Sequence, residues 1–431
     1  TFGTGSIMVG DDATGTIDAA NYNTGLGIDV FAALTSADNN VAVGYQAGTA
    51  LTTGNNNTFV GANAGDANTS GASNTGIGKH ALGETTTGVS NSALGHGALS
   101  ANTTASNNTA MGWSSLATNT TGHSNTAIGR SALTTNTASY NTAVGMNAMI
   151  NNTTGEENTA VGYHANQAMT TGSWNTAFGS NALVHNTTSD ENTAIGRSAM
   201  HQLTTGAKNT SVGYRSGHDM TTGTSNVCIG AEAGTAMTTP TGNIAIGQDA
   251  LKVSTTAEYN TFVGYQAGLD LTSGAYNNAF GHLALTNMTT GQGNDCFGYK
   301  AGAKISTGST NVCFGSFSMD YGSPQTGGGN TSVGHATSRS LTSGYNNSAL
   351  GLQTLYSIST GVNNTAVGAN AGADITSGSN NQCLGLSAGK AGSPGGSITT
   401  VSNRIVVGNG DSTHAHIQID WTVASDKRDK T

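Results

Sequence analysis

The sequence predicts an all-β fold, a parallel β-solenoid (β-roll), and three observations predict it. A unit of 17 residues recurs from an anchor at Ser6 to one at Asn381, giving 23 copies in which 20 of the 22 intervals are 17. Gly stands at position +4 of every copy, from Gly10 to Gly385, and a single large apolar residue precedes it at +3, from Val9 to Leu384. Most copies also carry a Thr-Thr-Gly turn. Self-similarity at a fixed period is the mark of a stack in which each repeat is one rung.

Each position in the unit has a physical reading. The anchor is Asn in all copies but the first. Its amide can bond the amide one rung away and build a ladder, and Asn also tolerates the left-handed region. Positions +1 to +3 are rich in Thr, Val, Ile and Phe, which favour strands. Gly at +4 and the Thr-Thr-Gly turn leave no room for a helix of ordinary length. The large residue at +3, such as Val161 or Phe178, is expected to point inward. Asn158, Gly162, Asn175 and Gly179 complete the structural positions of those two copies.

Positions +8 and +11 co-vary. Gly48 goes with Leu51, Gly217 with Met220 and Gly372 with Ile375, while Leu99 goes with Asn102 and Leu116 with Asn119. A large residue at one site accompanies a small or polar one at the other, as expected where both reach one pocket of fixed volume. Gly65 with Asn68 and Leu285 with Met288 break the rule. Two irregular intervals locate an outer corner. Asn125 to Asn141 is one residue short, and Asn311 to Asn330 is two long and contains the glycines at 327–329. Insertions concentrate on exposed turns, so those glycines are expected at the surface.

Composition narrows the class. Gly is 63 residues and Pro 3, without the every-third-residue Gly of collagen. No apolar run is long enough to cross a membrane, and the net charge of −9 gives no nucleic-acid footprint. No signal-peptide pattern is seen at Thr1, which opens inside or beside the first repeat, so further residues are expected upstream. Cys228, Cys296, Cys313 and Cys383 all sit at +2, where most copies have Ala, and read as fillers of a small buried slot. Cys296 and Cys313 fall on successive rungs, where a disulfide is open by distance but demands specific Cβ geometry. Each rung supplies about two large apolar side chains, while ordering one residue's backbone costs ~1–2 kcal/mol. So thin a core favours burying a second face against other copies of the chain. At ~4.8 Å per rung, 23 rungs would make a rod of roughly 110 Å.

The unit Asn158-Thr-Ala-Val-Gly-Tyr163, with Asn125-Thr-Ala-Ile-Gly129, resembles the coils of trimeric autotransporter adhesin heads. Its longer 17-residue form is similar to repeats in bacteriophage tail fibres and in surface proteins of bacteria. The resemblance covers about residues 6–400 and implies a homotrimeric roll. After Asn403 the pattern breaks, and Arg404-Ile-Val-Val-Gly408 starts a different strand. The stretch Ser425-Asp426-Lys427-Arg428-Asp429-Lys430 resembles the junction that opens the C-terminal intramolecular chaperone of endosialidase-type tailspikes. That resemblance implies a self-cleaving dyad in a precursor, with Ser425 as nucleophile and Lys430 as the base that takes its proton. The organisation read from the chain is therefore a shaft over 1–402, a β segment over 403–424 and the start of the junction over 425–431, without the body of that domain.

His414 and His416 alternate with Ile417 on a strand-like stretch, so they share one face. Near a threefold axis, three copies would present six imidazoles to one axial transition metal. No other cofactor is expected. Tyr45, Tyr163, Tyr214, Tyr265 and Tyr299 recur at +5, and the remaining nine histidines read as scattered surface residues. The sequons at Asn102, Asn119 and Asn186 follow from the repeat composition. The functional expectation is a non-enzymatic structural protein, the trimeric shaft of a phage tail fibre on the virion. Its expected partners are its own copies, other tail or fibre segments, and a host-surface glycan or protein, with no nucleic acid and no membrane insertion. A bacterial surface adhesin or extracellular filament is the alternative, and a polysaccharide-degrading tailspike is a third reading that calls for clustered carboxylates.

Overall fold

The computed structural model describes residues 4–10 and 19–413. It contains 24 strands of three residues each and, among the described residues, no helix. The chain divides into two units, Thr1–Gln292 and Gly293–Thr431. The first holds β1 (Ile7–Val9) through β17 (Asn278–Phe280), and the second holds β18 (Asp295–Phe297) through β24 (Ile405–Val407). Within each unit every strand pairs in parallel with the next, position for position. The two pairings of β10 (Thr159–Val161) show the register. Thr159 faces Thr142 on one side and Thr176 on the other, and Ala160 faces Ala143 and Ala177. Each unit is thus a β-solenoid whose rung is the 17-residue repeat.

Hydrogen bonds run between rungs well beyond the strands. Asn175 donates its backbone N–H to Oδ1 of Asn158 at 2.9 Å, and its Nδ2 donates to the same oxygen at 3.2 Å and to the carbonyl of Ser189 at 2.7 Å. Equivalent bonds repeat at anchor after anchor, and the anchors from Asn23 to Asn381 are buried. The expected amide ladder is therefore present. The left-handed backbone lies one residue earlier, however, at Tyr22, Asn39, Glu157, Trp174 and their equivalents. The first Thr of each turn extends the network, as in Thr52 to the carbonyl of Thr69 at 2.9 Å and Thr153 to that of Thr170 at 2.8 Å.

The glycine at +4 is dictated by the next rung. Gly162 has φ 139°, and a Cβ there would lie 2.6 Å from the carbonyl of Gly179. No side chain fits such a stack. Position +8 is also left-handed, at Leu99 (φ 51°), Leu133 (φ 50°) and Met200 (φ 45°). β-branched residues are strongly disfavoured in that conformation, and +8 holds Gly, Leu, Met, Phe, Asn or Ser throughout the described rungs.

The core lies at +2, +7, +8 and +11. In the rung of Asn158, Ala160, Ala165 and Met169 are fully buried, as is Asn166. The shared +8/+11 pocket is real, and +2 also belongs to it. A Cβ on Gly234 would lie 2.7 Å from Sγ of Cys228 at +2 and 2.6 Å from Cε of Met237 at +11. At the exceptional pair Gly65 and Asn68, Phe59 at +2 fills the space into which a side chain at 65 would run, which accounts for the glycine but not for Asn68.

Two expectations about exposure are corrected. The row at +3 does not point inward: Val161 is half-buried and Phe178 is 55% exposed, while the central residue of each strand is covered. Alternation along a three-residue strand puts +1 and +3 on one face and +2 on the other. The solenoid is narrow, and its inner strand position takes Ala, Cys, Ser, Gly or an occasional Phe, with Met8 and Val406 on the two end rungs. Nor do the extra residues of the long interval sit at 327–329. Ile305 pairs with Gln325, so the bulge is Gly322 to Pro324, which is exposed. Gly327 is buried, and a Cβ there would collide with the carbonyl of Gly344, while Gly328 is half-buried and Gly329 faces solvent as expected. At the other end of the second unit, the segment Arg404–Gly408 adds one more rung. Arg404 takes the anchor's place and donates its N–H to Oδ1 of Asn381 at 3.0 Å across a 23-residue interval. β24 pairs with β23 (Gln382–Leu384) in the common register.

Candidate functional site

The most extensive candidate is the outward face of the strands. In the first unit the +3 row runs from Val9 to Phe280, and in the second from Phe297 to Val407. Val9, Leu26, Leu94, Met111, Phe178, Phe314, Leu350 and Val407 are 43–61% exposed. The +5 tyrosines extend this apolar face, with Tyr45, Tyr163, Tyr214, Tyr265 and Tyr299 at 41–51%. Some +5 rings contact a neighbour: Tyr163 stacks on His164 at 3.8 Å between ring centres and Tyr265 on His282 at 5.0 Å. A regular row of large apolar side chains outside a covered core is the kind of surface at which association occurs in other proteins. Gly162 and Gly179 bring the rungs into contact behind this face, and Asn158 and Asn175 anchor them, so its side chains are held at the repeat spacing.

The sequence-predicted chemical residues fall elsewhere. His414, His416, Ser425 and Lys430 lie outside the described residues. Among the described residues no group of three or more His, Cys, Asp or Glu is placed to hold a metal ion. Cys296 and Cys313 face each other in register as free thiols. Burial pushes the Cys228 thiol up to about 12 and that of Cys383 up to about 11, and it holds Cys296 well above its ordinary value. These are inert fillers, as read from the Ala-equivalent position. The sequons at Asn102, Asn119 and Asn186 are fully buried, so the folded chain offers no glycan acceptor there.

Two features escaped the sequence reading, and both are legible along the repeat rather than along the chain. His185, His201 and His218 come onto successive rungs, with ring centres 5.0 and 4.9 Å apart, and His218 bonds Asp219 at 2.6 Å. Their spacings of 16 and 17 residues are the signal. Glu156, Glu157, Asp190 and Glu191 flank the exposed Trp174 on one corner, two residues or one before their anchors. Both glutamates at 156 and 157, and Glu191, face solvent rather than a dry pocket. The polar residues at +11 form a row inside the core, through Asn68, Thr85, Asn102, Asn119, Asn136 and Asn152. Asn152 bonds Asn136 at 2.7 Å, and both amide atoms of Asn68 lack a partner.

No protein-family model matches the chain, and no curated protein matches it in sequence.

Proposed function

We propose that this chain is a structural repeat protein that works as a homotrimer, the shaft of a phage tail fibre on the virion. Its task is to hold an attachment tip away from the particle. It acts without cofactor chemistry in the shaft, and any axial metal belongs to His414 and His416. The observation that carries this reading is the exposed +3 row, together with the resemblance of the repeat to trimeric adhesin heads and tail fibres. Fully burying a Val, Leu or Phe side chain is worth ~1.5–3 kcal/mol. A row of such side chains, repeated at every rung on a rigid face, gains most by meeting the same row in another copy. Parallel in-register copies satisfy this at all rungs at once.

Light scattering on the whole chain tests it, with three times the chain mass expected. Phe178→Asp should lower the assembled fraction while leaving the β circular-dichroism signal in place, since Phe178 is 55% exposed in the single chain. A stable folded monomer of the unaltered chain would overturn the proposal.

A further inference from the structure

We propose that a basic, aromatic-lined patch in the second unit binds an acidic polysaccharide whose sugars carry carboxylates. This proposal is independent of the assembly state argued above. Successive rungs build the patch: Lys300 and Lys304 come from that of β18, Phe317 and Tyr321 from the next, Arg339 from the third and Tyr356 from the fourth.

Arg339 is its centre. The guanidinium carbon lies 5.0 Å from the ring centre of Tyr321, 5.7 Å from that of Phe317 and 5.8 Å from that of Tyr356. One of its Nη atoms donates to the Tyr356 hydroxyl at 2.9 Å, and its Nε is buried without a hydrogen-bond partner, so a ligand meets the guanidinium at its Nη end. All three rings lie within cation–π range. A guanidinium fixed in this way loses little freedom when a planar carboxylate docks on its remaining donors. Lys300, Lys304 and Arg339 all act on Asp320, whose carboxyl is nonetheless raised, because burial outweighs the three cations. Three cations around one acid leave a local positive excess on a chain whose net charge is −9. Tyr321 is 59% exposed and offers a ring on which the apolar face of a sugar can stack.

The local nature of the charge selects the partner. A nucleic acid carries a charge on every phosphate, and its affinity grows with the number of phosphates neutralised. Three cations on an otherwise acidic molecule favour a polymer with spaced carboxylates over a polyphosphate.

Calorimetric titration of the whole chain tests the proposal with three probes: galacturonate oligosaccharides, dextran oligosaccharides and a single-stranded oligonucleotide. Galacturonate should bind and weaken with added salt, and dextran should not bind. Arg339→Ala should lower galacturonate affinity about tenfold or more, and Tyr321→Ala should lower it as well. Lys208→Ala, which removes an exposed cation in the first unit, should leave it unchanged. Arg339→Ala could loosen the packing of its rung, so the exposed Tyr321 provides the independent check. Absence of galacturonate binding, binding that survives both patch variants, or tighter binding of the oligonucleotide would each overturn the proposal.

Discussion

Among the described residues, Asn68 and Gln325 are the two core side chains with neither amide atom paired, and Asn68 makes the clearer test. It is fully buried, and neither its Nδ2 nor its Oδ1 has a partner. The rung of Phe262 shows what else fits, because it has the same Phe at +2 and Gly at +8 but Leu271 at +11. Leaving a buried polar group unpaired costs ~1–3 kcal/mol. Asn68→Leu is therefore expected to stabilise the chain by about that amount, read as a higher urea midpoint, and a lower midpoint would show that the amide is satisfied in solution. His201 makes a pH prediction. Burial, then His218 and His185, lower its pKa from the ordinary 6.5, with Arg215 acting the same way and Asp219 opposing. With the folded value depressed, the unfolded chain takes up the proton first as the pH falls below 6.5. The stability contribution is present above 6.5 and is lost on acidification through the folded value. His201→Gln should flatten the fall in melting temperature between neutral and mildly acidic pH. An unchanged pH profile would remove the histidine stack as its source.

At the scale of the rung, tolerance depends on which corner is touched. Gly322 to Pro324 form an exposed bulge, whereas Gly327 packs beneath the carbonyl of Gly344. Inserting Gly-Ser after Ser323 should leave the melting temperature nearly unchanged. The same insertion after Gly327 should destabilise the unit, because it displaces the amide contact of Asn311 with the Gly327 carbonyl at 3.1 Å. Equal damage from both would mean that the two corners have been exchanged. The sequence placed the irregularity in the right interval, and the 19-residue spacing sufficed for that. It could not say where within the interval the extra residues bulge, since that is set by the pairing of Ile305 with Gln325.

At the scale of the molecule, the assembly proposal makes a geometric prediction. Spin labels placed singly at Tyr45 and Met146, both exposed at +5 in the first unit, should each report a short and similar distance between copies. Parallel in-register copies bring every rung beside its own equivalent. An antiparallel assembly would bring like positions together near its centre and separate them toward its ends, so a short distance at 146 beside a long one at 45 would exclude the parallel arrangement.

The sequence by itself determined the period, the all-β class, the amide ladder, the glycines at +4 and the shared pocket of +8 and +11. Each of these is a contact between a residue and its own equivalent one repeat away, or within one short rung, so it leaves a periodic trace in the letters. Only the tertiary structure decided which side of the strand is inside. Alternation says that Ala160 and Val161 face opposite ways, but not which faces the core. The direction in which the left-handed turns at −1, +6 and +8 close the rung fixes that, and it encloses a space so narrow that the small residue goes in and the large one stays outside. The histidine stack and the Arg339 patch were likewise settled by stacking, because each gathers residues that stand at ordinary variable positions until successive rungs are laid on one another.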